Sequence, residues 1–348
     1  MDSPPASFSC ASFSPKAPKG RKRRHNQAKR KASLVLEHGG PLSKACRCAY
    51  RAFHRRFQKG MKKYAVRREE SLSGKEGMYC FDATTPRTDV DGKSVFALEN
   101  VRVKVPLSRD AVNEGAFVVD ENGDTFVCLR VPARRAQEVS RFHGRWRKTL
   151  GDALESKPDN QRGATRGGSS KKLVAFGWRK NPKGKEIGEY AFKTNTSEEL
   201  AAEVTDGIKK IVECLEKTAH KFVNPADLER LINLKEKYNI PGISDKSVCT
   251  QFSVGLDYWA KMHEDDDYFW SVTSTIAMGD ESMEKPIHWF VFPEYNVAVP
   301  LCSGDILVFN PLLLHGCTNP TFQGSLIFST YVSSKTVATC TAGHENKT

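Results

Sequence analysis

The order of elements in this sequence predicts an α+β protein in which helices back a sheet sandwich or an open barrel. Helical patterns fill Ala133–Glu155 and residues 196–232, and six short strand patterns follow them. Helices followed by short strands with turn signals between them are typical of this class. The longest apolar stretches stop well short of the roughly 20 residues that a transmembrane helix needs. The sequence therefore predicts no membrane span.

The first part of the chain is strongly basic and the remainder is not. The whole chain has 54 Lys and Arg against 41 Asp and Glu, a net charge of +13. Residues 1–68 hold 19 of these basic residues and only two acids, so the remainder is net acidic. Residues 1–20 are rich in Ser, Pro and Ala and show no periodicity. We expect a basic, largely disordered leader over residues 1–70.

Two basic clusters lie in this leader. Residues 19–31 read KGRKRRHNQAKRK, which predicts nuclear import or nucleic-acid contact, or else a solvated tail. Residues 44–68 add Tyr50, Phe53 and Phe57 at helical spacing, which predicts a basic helix that binds nucleic acid or an acidic partner, or packs on the body. The protein is accordingly expected in the nucleus, otherwise in the cytoplasm. The candidate nucleic-acid contacts are Lys19, Arg21, Lys22, Arg23, Arg24, Lys29, Arg30 and Lys31.

A supporting part with strands and helices is predicted over residues 71–238. Ser94–Pro106 and Ala116–Pro132 are strand-like, and the second contains an Asn-Gly turn signal. A flexible Gly- and Ser-rich loop near 156–172 precedes a short apolar strand, Leu173–Trp178. This part is therefore expected to contain both strands and helices and to support the part that follows it.

Two helix starts and a strand-rich core follow. Thr196–Glu199 is a capping-box pattern, and Pro225 stands where proline favours the first position of a helix. From Cys249 onward the pattern changes to strands, and a strand-rich core is predicted over 239–340. The predicted strands of this core are Cys249–Gly255, Tyr268–Ala277, Trp289–Phe292, Asn296–Pro300, Asp305–Asn310 and Ser325–Ser333.

Two histidines and an aspartate in this core form a candidate metal site. His263 and Asp265 are two residues apart, so an extended segment places both side chains on one face. His315 ends an apolar segment that follows the turn at Gly304. Two histidines and one carboxylate on adjacent strands form the facial triad that holds Fe(II) and leaves positions open. His288 is a rival ligand or a strand-edge histidine, and each triad residue also has a plain structural or surface interpretation.

With these residues, segment 249–335 resembles the Fe(II)/2-oxoglutarate dioxygenases. Within them it looks most like the branch that contains the base-J-binding hydroxylases and the ten-eleven-translocation 5-methylcytosine oxygenases. The resemblance rests on His263, Asp265, the turn at Gly304-Asp305, His315 and the terminal strand SLIFSTYV. It implies a double-stranded β-helix, which is a cupin-like jelly roll, with Fe(II) and 2-oxoglutarate as cofactors. It also implies oxidation of the methyl group of thymine or cytosine.

One departure from the resemblance concerns the cation that binds 2-oxoglutarate. The superfamily usually places Arg or Lys on the strand after the distal histidine, where it pairs with the far carboxylate. Here Arg230 is the last arginine of the chain. Lys335 on the terminal strand is favoured, Lys261 is the second candidate, and a cation from the helical half is a further alternative. The predicted cosubstrate-binding residues are Lys335, Lys261, Gln323, Ser325 and Tyr331.

Three functions are compatible with this pattern. The first is an oxygenase that acts on a nucleic-acid base, which has to be flipped out of a duplex to reach the metal. The second is the same chemistry on a protein side chain. The third is a non-catalytic jelly-roll module that binds nucleic acid or protein, which the missing arginine favours. Iron-dependent succinate formation separates the first two from the third, and salt-sensitive nucleic-acid binding separates the first from the second.

Overall fold

A computed structural model describes twelve segments of the chain. The basic clusters at 19–31 and 44–60, most of the predicted loop near 156–172, and the predicted Asn122-Gly123 turn lie outside them. All described residues belong to one compact unit, Tyr50–Thr348. The described segments are 61–67, 80–81, 89–90, 93–96, 103–104, 115–121, 126–133, 137–160, 172–181, 186–221, 225–279 and 285–345.

The strands are numbered here over the described residues. The strands before the predicted core are β1 (Met61–Val66), β2 (Cys80–Phe81), β3 (Asp89–Val90), β4 (Lys93–Phe96), β5 (Val103–Lys104), β6 (Gly115–Asp120), β7 (Phe126–Val131), β8 (Lys172–Lys180) and β9 (Ile187–Glu189). Those within it are β10 (Gln251–Leu256), β11 (Ala260–His263), β12 (Ser271–Ala277), β13 (Pro286–Phe292), β14 (Val297–Cys302), β15 (Ile306–Phe309), β16 (His315–Cys317) and β17 (Ser325–Tyr331).

Within the described segments, nine strands form the main sheet in the order β1-β6-β7-β15-β12-β17-β10-β8-β9. The strands on either side of the predicted Asn-Gly turn, β6 and β7, do pair antiparallel. At one edge β1 pairs in parallel with β6, with Met61 opposite Gly115. Residues 61–66 were expected in the disordered leader, or in its aromatic helix, and are instead an edge strand. The structured body therefore begins inside the predicted leader.

A second sheet has the order β11-β16-β13-β14-β5 among the described strands. The last eight strands divide between the two sheets, four to each, and pair antiparallel. Side chains of both sheets meet in one apolar cluster that includes Phe290 and Phe292 from β13, Phe309 from β15 and Ile327 from β17. The core that supports the candidate site therefore lies between the sheets.

Helices cover the other face of the main sheet. Their bounds are α1 (Gln137–Ser156), α2 (Glu198–His220), α3 (Pro225–Lys237) and α4 (Ser334–Glu345), with a short 3-10 helix at Pro293–Tyr295. In α2, Val204, Ile208, Ile211 and Leu215 recur at helical spacing and are buried in one cluster with Phe328 of the sheet. None of the described helices combines the length and the apolar character needed to cross a membrane.

The start of α2 differs by one residue from the capping-box prediction. The N-cap is Ser197, whose hydroxyl oxygen accepts the N–H of Leu200 at 3.2 Å. Thr196, the predicted cap, instead donates its hydroxyl to the carbonyl of Ser156 at the end of α1. The second helix begins at Pro225 as predicted.

The turn at Gly304-Asp305 is stabilised by a buried ion pair between Asp305 and Arg130. Gly304 has φ 84°, a conformation that glycine adopts without strain. One carboxylate oxygen of Asp305 accepts the N–H of Cys302 at 2.9 Å and lies 2.7 Å from Arg130 Nη2, and Arg130 is fully buried. Removing one partner of such a buried pair costs about 3–5 kcal/mol. This turn sets the register of β15, which leads toward His315.

Candidate metal centre

The two predicted histidine ligands are neighbours on paired strands. His263 ends β11 and His315 begins β16, and the two residues are opposite each other in this antiparallel pair. Their ring centroids are 4.6 Å apart. Asp265 follows directly after β11, and its backbone N–H donates to the carbonyl of Pro311 at 2.9 Å. Strand pairing and one backbone bond thus bring three side chains from two chain segments to one point.

The three side chains form a single cluster. Asp265 Oδ2 lies 3.6 Å from His263 Nε2 and 3.5 Å from His315 Nε2. The three ligand atoms all lie within 4.8 Å of one another, and this is the one such cluster of His, Cys, Asp and Glu found among the described residues. The structure therefore brings the sequence-predicted triad together.

The orientation of His315 is fixed by its surroundings. His315 Nδ1 lies 2.8 Å from the carbonyl oxygen of Leu313, which makes Nδ1 the protonated nitrogen and leaves the lone pair of Nε2 directed at Asp265. The ring of Phe290 stacks on the imidazole at 5.4 Å and 13°, and Phe309 contacts it edge-on at 5.0 Å. His315 is buried, whereas the side chains of His263 and Asp265 are 25% exposed. The cluster is thus closed on one side and open on the other.

The charges within the cluster suit a cation. Burial raises the pKa of Asp265, but the neighbouring His263 and His315 outweigh burial and hold this pKa well below its usual value. Burial, and after it the charge of His263, lower the pKa of His315. At neutral pH the site therefore offers an ionised carboxylate and a neutral imidazole, the protonation states in which these groups bind metals.

A cavity of about 390 Å³ opens beside the triad. Its floor is the inward face of the main sheet, where side chains alternate along β10, β12 and β17. Polar groups dominate this floor, and the hydroxyl of Ser329 donates to Thr273 Oγ1 at 2.9 Å beneath it. The polar floor residues are Gln251, Ser253, Ser271, Ser329 and Tyr331.

Two of the predicted cosubstrate residues line this cavity, and one of them lies in an unexpected element. Tyr331 is the last residue of β17 and lines the wall of the cavity. Lys335 also lines the cavity, but it belongs to the first turn of α4 and not to the terminal strand. The prediction that the strand continues to this residue is wrong, because the N–H of Val337 already donates to the carbonyl of Ser333 and begins the helix.

The remaining cosubstrate candidates do not lie on the described wall of the cavity. Ser325 is fully buried, and both its N–H and its hydroxyl donate to Asp257 Oδ1, at 2.9 and 3.3 Å. Gln323 is exposed in the turn before β17. Lys261 lies within β11, but its side chain is outside the described residues.

The rival ligand His288 does not join the triad. It is completely buried on β13, and its Nδ1 lies 3.2 Å from the carbonyl oxygen of Thr318. Burial lowers its pKa to about 4. Cys302 and Cys317 are buried free thiols and lie in the core.

Two cationic residues of the cavity, Arg179 and Lys180 on β8, are not among the residues predicted from the sequence. The cations predicted by number, Lys335 and Lys261, lie in the C-terminal third of the chain, whereas β8 precedes it and belongs to the part from which a cation was left open as an alternative. The strand carries no alternating signal for this placement, because Leu173, Val174 and Ala175 all line the cavity, and Arg179 reaches it through the pairing of β8 with β10.

Comparisons with known proteins give structural similarities only. No protein-family model and no curated protein matches the chain. It is similar to NgTET1 in complex with 5mC DNA, with a TM-score of 0.44 and 14% identity over 67% of this chain and 85% of that one. It is also similar to a prolyl-4-hydroxylase from Pseudomonas putida, with a TM-score of 0.32 and 8% identity over 60% of this chain and 92% of that one. It is similar as well to HygX from Streptomyces hygroscopicus with nickel and 2-oxoglutarate bound, with a TM-score of 0.28 and 13% identity over 60% of this chain and 83% of that one.

Proposed function

We propose that this protein is an Fe(II)- and 2-oxoglutarate-dependent oxygenase. The observation that carries the proposal is the convergence of His263, Asp265 and His315, with Asp265 Oδ2 at 3.6 and 3.5 Å from the two Nε2 atoms. Two imidazoles and one carboxylate with an open side are the ligand set of non-haem Fe(II) oxygenases. All three ligands are on or next to short strands of the second sheet, so the scaffold holds them rigidly.

The order of the strands supports a double-stranded β-helix for the catalytic core. Four of the last eight strands follow one another as β15-β12-β17-β10 in the main sheet, and four as β11-β16-β13-β14 in the second. Two four-stranded antiparallel sheets that exchange strands in this way form a jelly roll. The triad lies at one end of this arrangement, beside the cavity.

The spacing of the donor atoms fits a divalent ion. Two donors that each lie about 2.0–2.2 Å from one ion, at right angles, are separated by roughly 3 Å. The observed 3.5 and 3.6 Å separations are near this value and are longer than ordinary hydrogen bonds. The carbonyl of Leu313 fixes the tautomer of His315 in the form that a metal requires.

Bound iron would supply the activation of dioxygen, and the residues of this chain have separate tasks around it. Phe290 and Phe309 pack against His315 and exclude water from the buried side of the ligands. Tyr331 lines the cavity, where its hydroxyl can donate a hydrogen bond to a carboxylate of a 2-oxo acid, whereas the hydroxyl proton of Ser329 is already donated to Thr273. The open side of the triad faces the same cavity, so cosubstrate and substrate approach the metal from one direction.

For the substrate we propose the methyl group of a nucleic-acid base. A base flipped out of a duplex has to enter a pocket to reach the metal, and the cavity of about 390 Å³ is within the usual range of ligand pockets. The basic leader suits contact with phosphates and a nuclear location. A protein side chain is the second candidate substrate. A non-catalytic binding module is the alternative that the triad geometry disfavours.

The test is turnover of 2-oxoglutarate with a matched pair of variants. With Fe(II), ascorbate and dioxygen, we expect the parent protein to release succinate and CO₂. Asp265→Ala should abolish succinate formation and weaken metal binding by at least about tenfold. Asp266→Ala removes the adjacent carboxylate of the same segment and should leave metal binding unchanged. If the parent forms no succinate, or if both variants bind metal equally well, the oxygenase assignment fails.

A further inference from the structure

The surroundings of Ser325, where the terminal strand β17 begins, are unsuited to binding an anion. The terminal strand begins at Ser325, near the position where the family resemblance places a cation for 2-oxoglutarate. Ser325 is bound there by the carboxylate of Asp257, at 2.9 Å from its backbone nitrogen. His288 lies near this carboxylate and contributes no positive charge at neutral pH, because burial lowers its pKa to about 4. A second carboxylate at this end would be repelled by Asp257.

The positive charges of the cavity lie elsewhere. Among the described residues, the cationic side chains that line it are Arg179, Lys180 and Lys335. Lys180 is exposed at the end of β8. Lys335 is exposed in the first turn of α4. Arg179 differs from both because it is partly buried.

Arg179 is held in place by its neighbours. Its guanidinium carbon lies 4.7 Å from the centre of the Tyr190 ring. Tyr190 follows β9 and donates its backbone N–H to the carbonyl of Gly177 at 3.1 Å, which fixes the ring beside β8. No ion pair with a carboxylate is found for Arg179 within the described segments. A guanidinium stacked on an aromatic ring keeps its N–H edge available for the two oxygens of a carboxylate.

From this placement we infer that Arg179, positioned by Tyr190, binds the carboxylate of 2-oxoglutarate that is farther from the metal. The cation then comes from β8, a strand outside the eight that form the jelly roll, and not from the terminal strand. Arg179 replaces Lys335, the residue favoured by the sequence, in this role. The inference rests on the proposed function, because it concerns the cosubstrate of the same site.

The inference is tested by equilibrium binding, without turnover. Calorimetric titration of nickel-loaded protein compares 2-oxoglutarate with 2-oxobutyrate, which has the same 2-oxo acid but ends in a methyl group. Arg179→Met should weaken binding of 2-oxoglutarate at least tenfold and leave binding of 2-oxobutyrate unchanged. Arg179→Lys should recover part of the affinity, because it restores the charge but not the planar fork. Lys172→Met, on the same strand β8 but not among the residues that line the cavity, is the matched control and should bind both acids as the parent does.

The role of Tyr190 has its own variant. Tyr190→Leu removes the ring on which the guanidinium stacks but keeps the charge of Arg179. We expect a smaller decrease in 2-oxoglutarate affinity than with Arg179→Met, again without an effect on 2-oxobutyrate. Equal weakening of both acids by either variant would indicate a general distortion of the cavity and would overturn the assigned roles.

Two further outcomes separate this inference from the proposed function. If the parent binds 2-oxoglutarate and Lys335→Met, rather than Arg179→Met, selectively weakens that binding, the cation is Lys335 and only the inference fails. If the parent binds nickel but neither acid, the proposed cosubstrate is wrong and the inference falls with it.

Discussion

Two buried histidines on neighbouring strands show how strongly local contacts decide the role of one residue type. His315 has Asp265 on its Nε2 side and the carbonyl of Leu313 on its Nδ1 side. His288 also meets a carbonyl oxygen, that of Thr318, through Nδ1, but its Nε2 has no hydrogen-bond partner among the described residues. The first arrangement suits a metal ligand, and the second suits a permanently neutral core residue.

The burial of His288 predicts a decrease in stability in acid. Its pKa is about 4 in the folded protein and roughly 6.5 in an unfolded chain. Below about pH 6.5 the unfolded state binds the proton more readily, so stability falls as the pH drops towards 4, by about 3 kcal/mol in total. His288→Gln removes this contribution. Denaturant unfolding of both proteins at pH 7 and pH 4.5 should show a smaller acid-induced decrease in the variant.

The comparison between the two proteins isolates His288 from other titrating groups. Carboxylates such as Asp265 titrate in both proteins, so their effect cancels in the difference. The variant is expected to be less stable than the parent at pH 7, because glutamine fills the site imperfectly. A parallel decrease of stability with acid in both proteins would mean that His288 is protonated in the folded state.

At the scale of elements, strand length decides what the sequence predicts. The longer core strands were predicted, with ends that differ by a few residues. β11 and β16 were not predicted as separate strands, although they carry the two histidines of the candidate metal site. They have four and three residues, too few for an alternating pattern to be recognised, and they extend only because they pair with each other.

The candidate metal ligands could be predicted from the sequence and the candidate cation could not, because only the cation depends on pairing between distant strands. His263, Asp265 and His315 have distinctive residue types within one continuous region, so their spacing identifies them. Arg179 reaches the cavity only because β8 pairs with β10, with Gly177 opposite Gln251. No local pattern predicts this pairing. Lys335 was placed on the terminal strand because it continues the alternation of Ser329 and Tyr331, whereas the helix α4 already begins at Ser334.

The start of α2 provides a stability prediction at the scale of one element. Ser197→Ala removes the oxygen that accepts the N–H of Leu200, and we expect the free energy of unfolding to fall by about 1 kcal/mol. Ser197→Asp keeps an acceptor at the cap and should be close to the parent. Urea unfolding measures both. If Thr196→Ala lowers the free energy of unfolding more than Ser197→Ala does, the N-cap is Thr196, as the sequence predicted, and not Ser197.

For the whole molecule, the main feature is the separation of charge along the chain. Residues 1–49 contain eleven Lys and Arg and two acids, a net charge of +9, and they precede the unit that holds the described residues. The rest of the basic leader, up to residue 68, includes β1. Deleting residues 1–68 would therefore remove both the first basic cluster and an edge strand of the main sheet, so the two effects need separate truncations.

Deletion of residues 1–49 is expected to leave the free energy of unfolding unchanged and to weaken nucleic-acid binding. The slope of log K against log salt is about 0.9 for each phosphate that the protein neutralises on duplex DNA, so the truncated protein, which neutralises fewer phosphates, should give a flatter line. Deletion of residues 1–68 should in addition lower the stability, because β6 is left without its parallel partner β1. Binding of a fluorescent duplex at several salt concentrations, together with urea unfolding of all three proteins, measures both effects. An unchanged salt slope after the shorter deletion would place the nucleic-acid interface on the body. The cations Arg179, Lys180 and Lys335 around the cavity would then be the next residues to substitute.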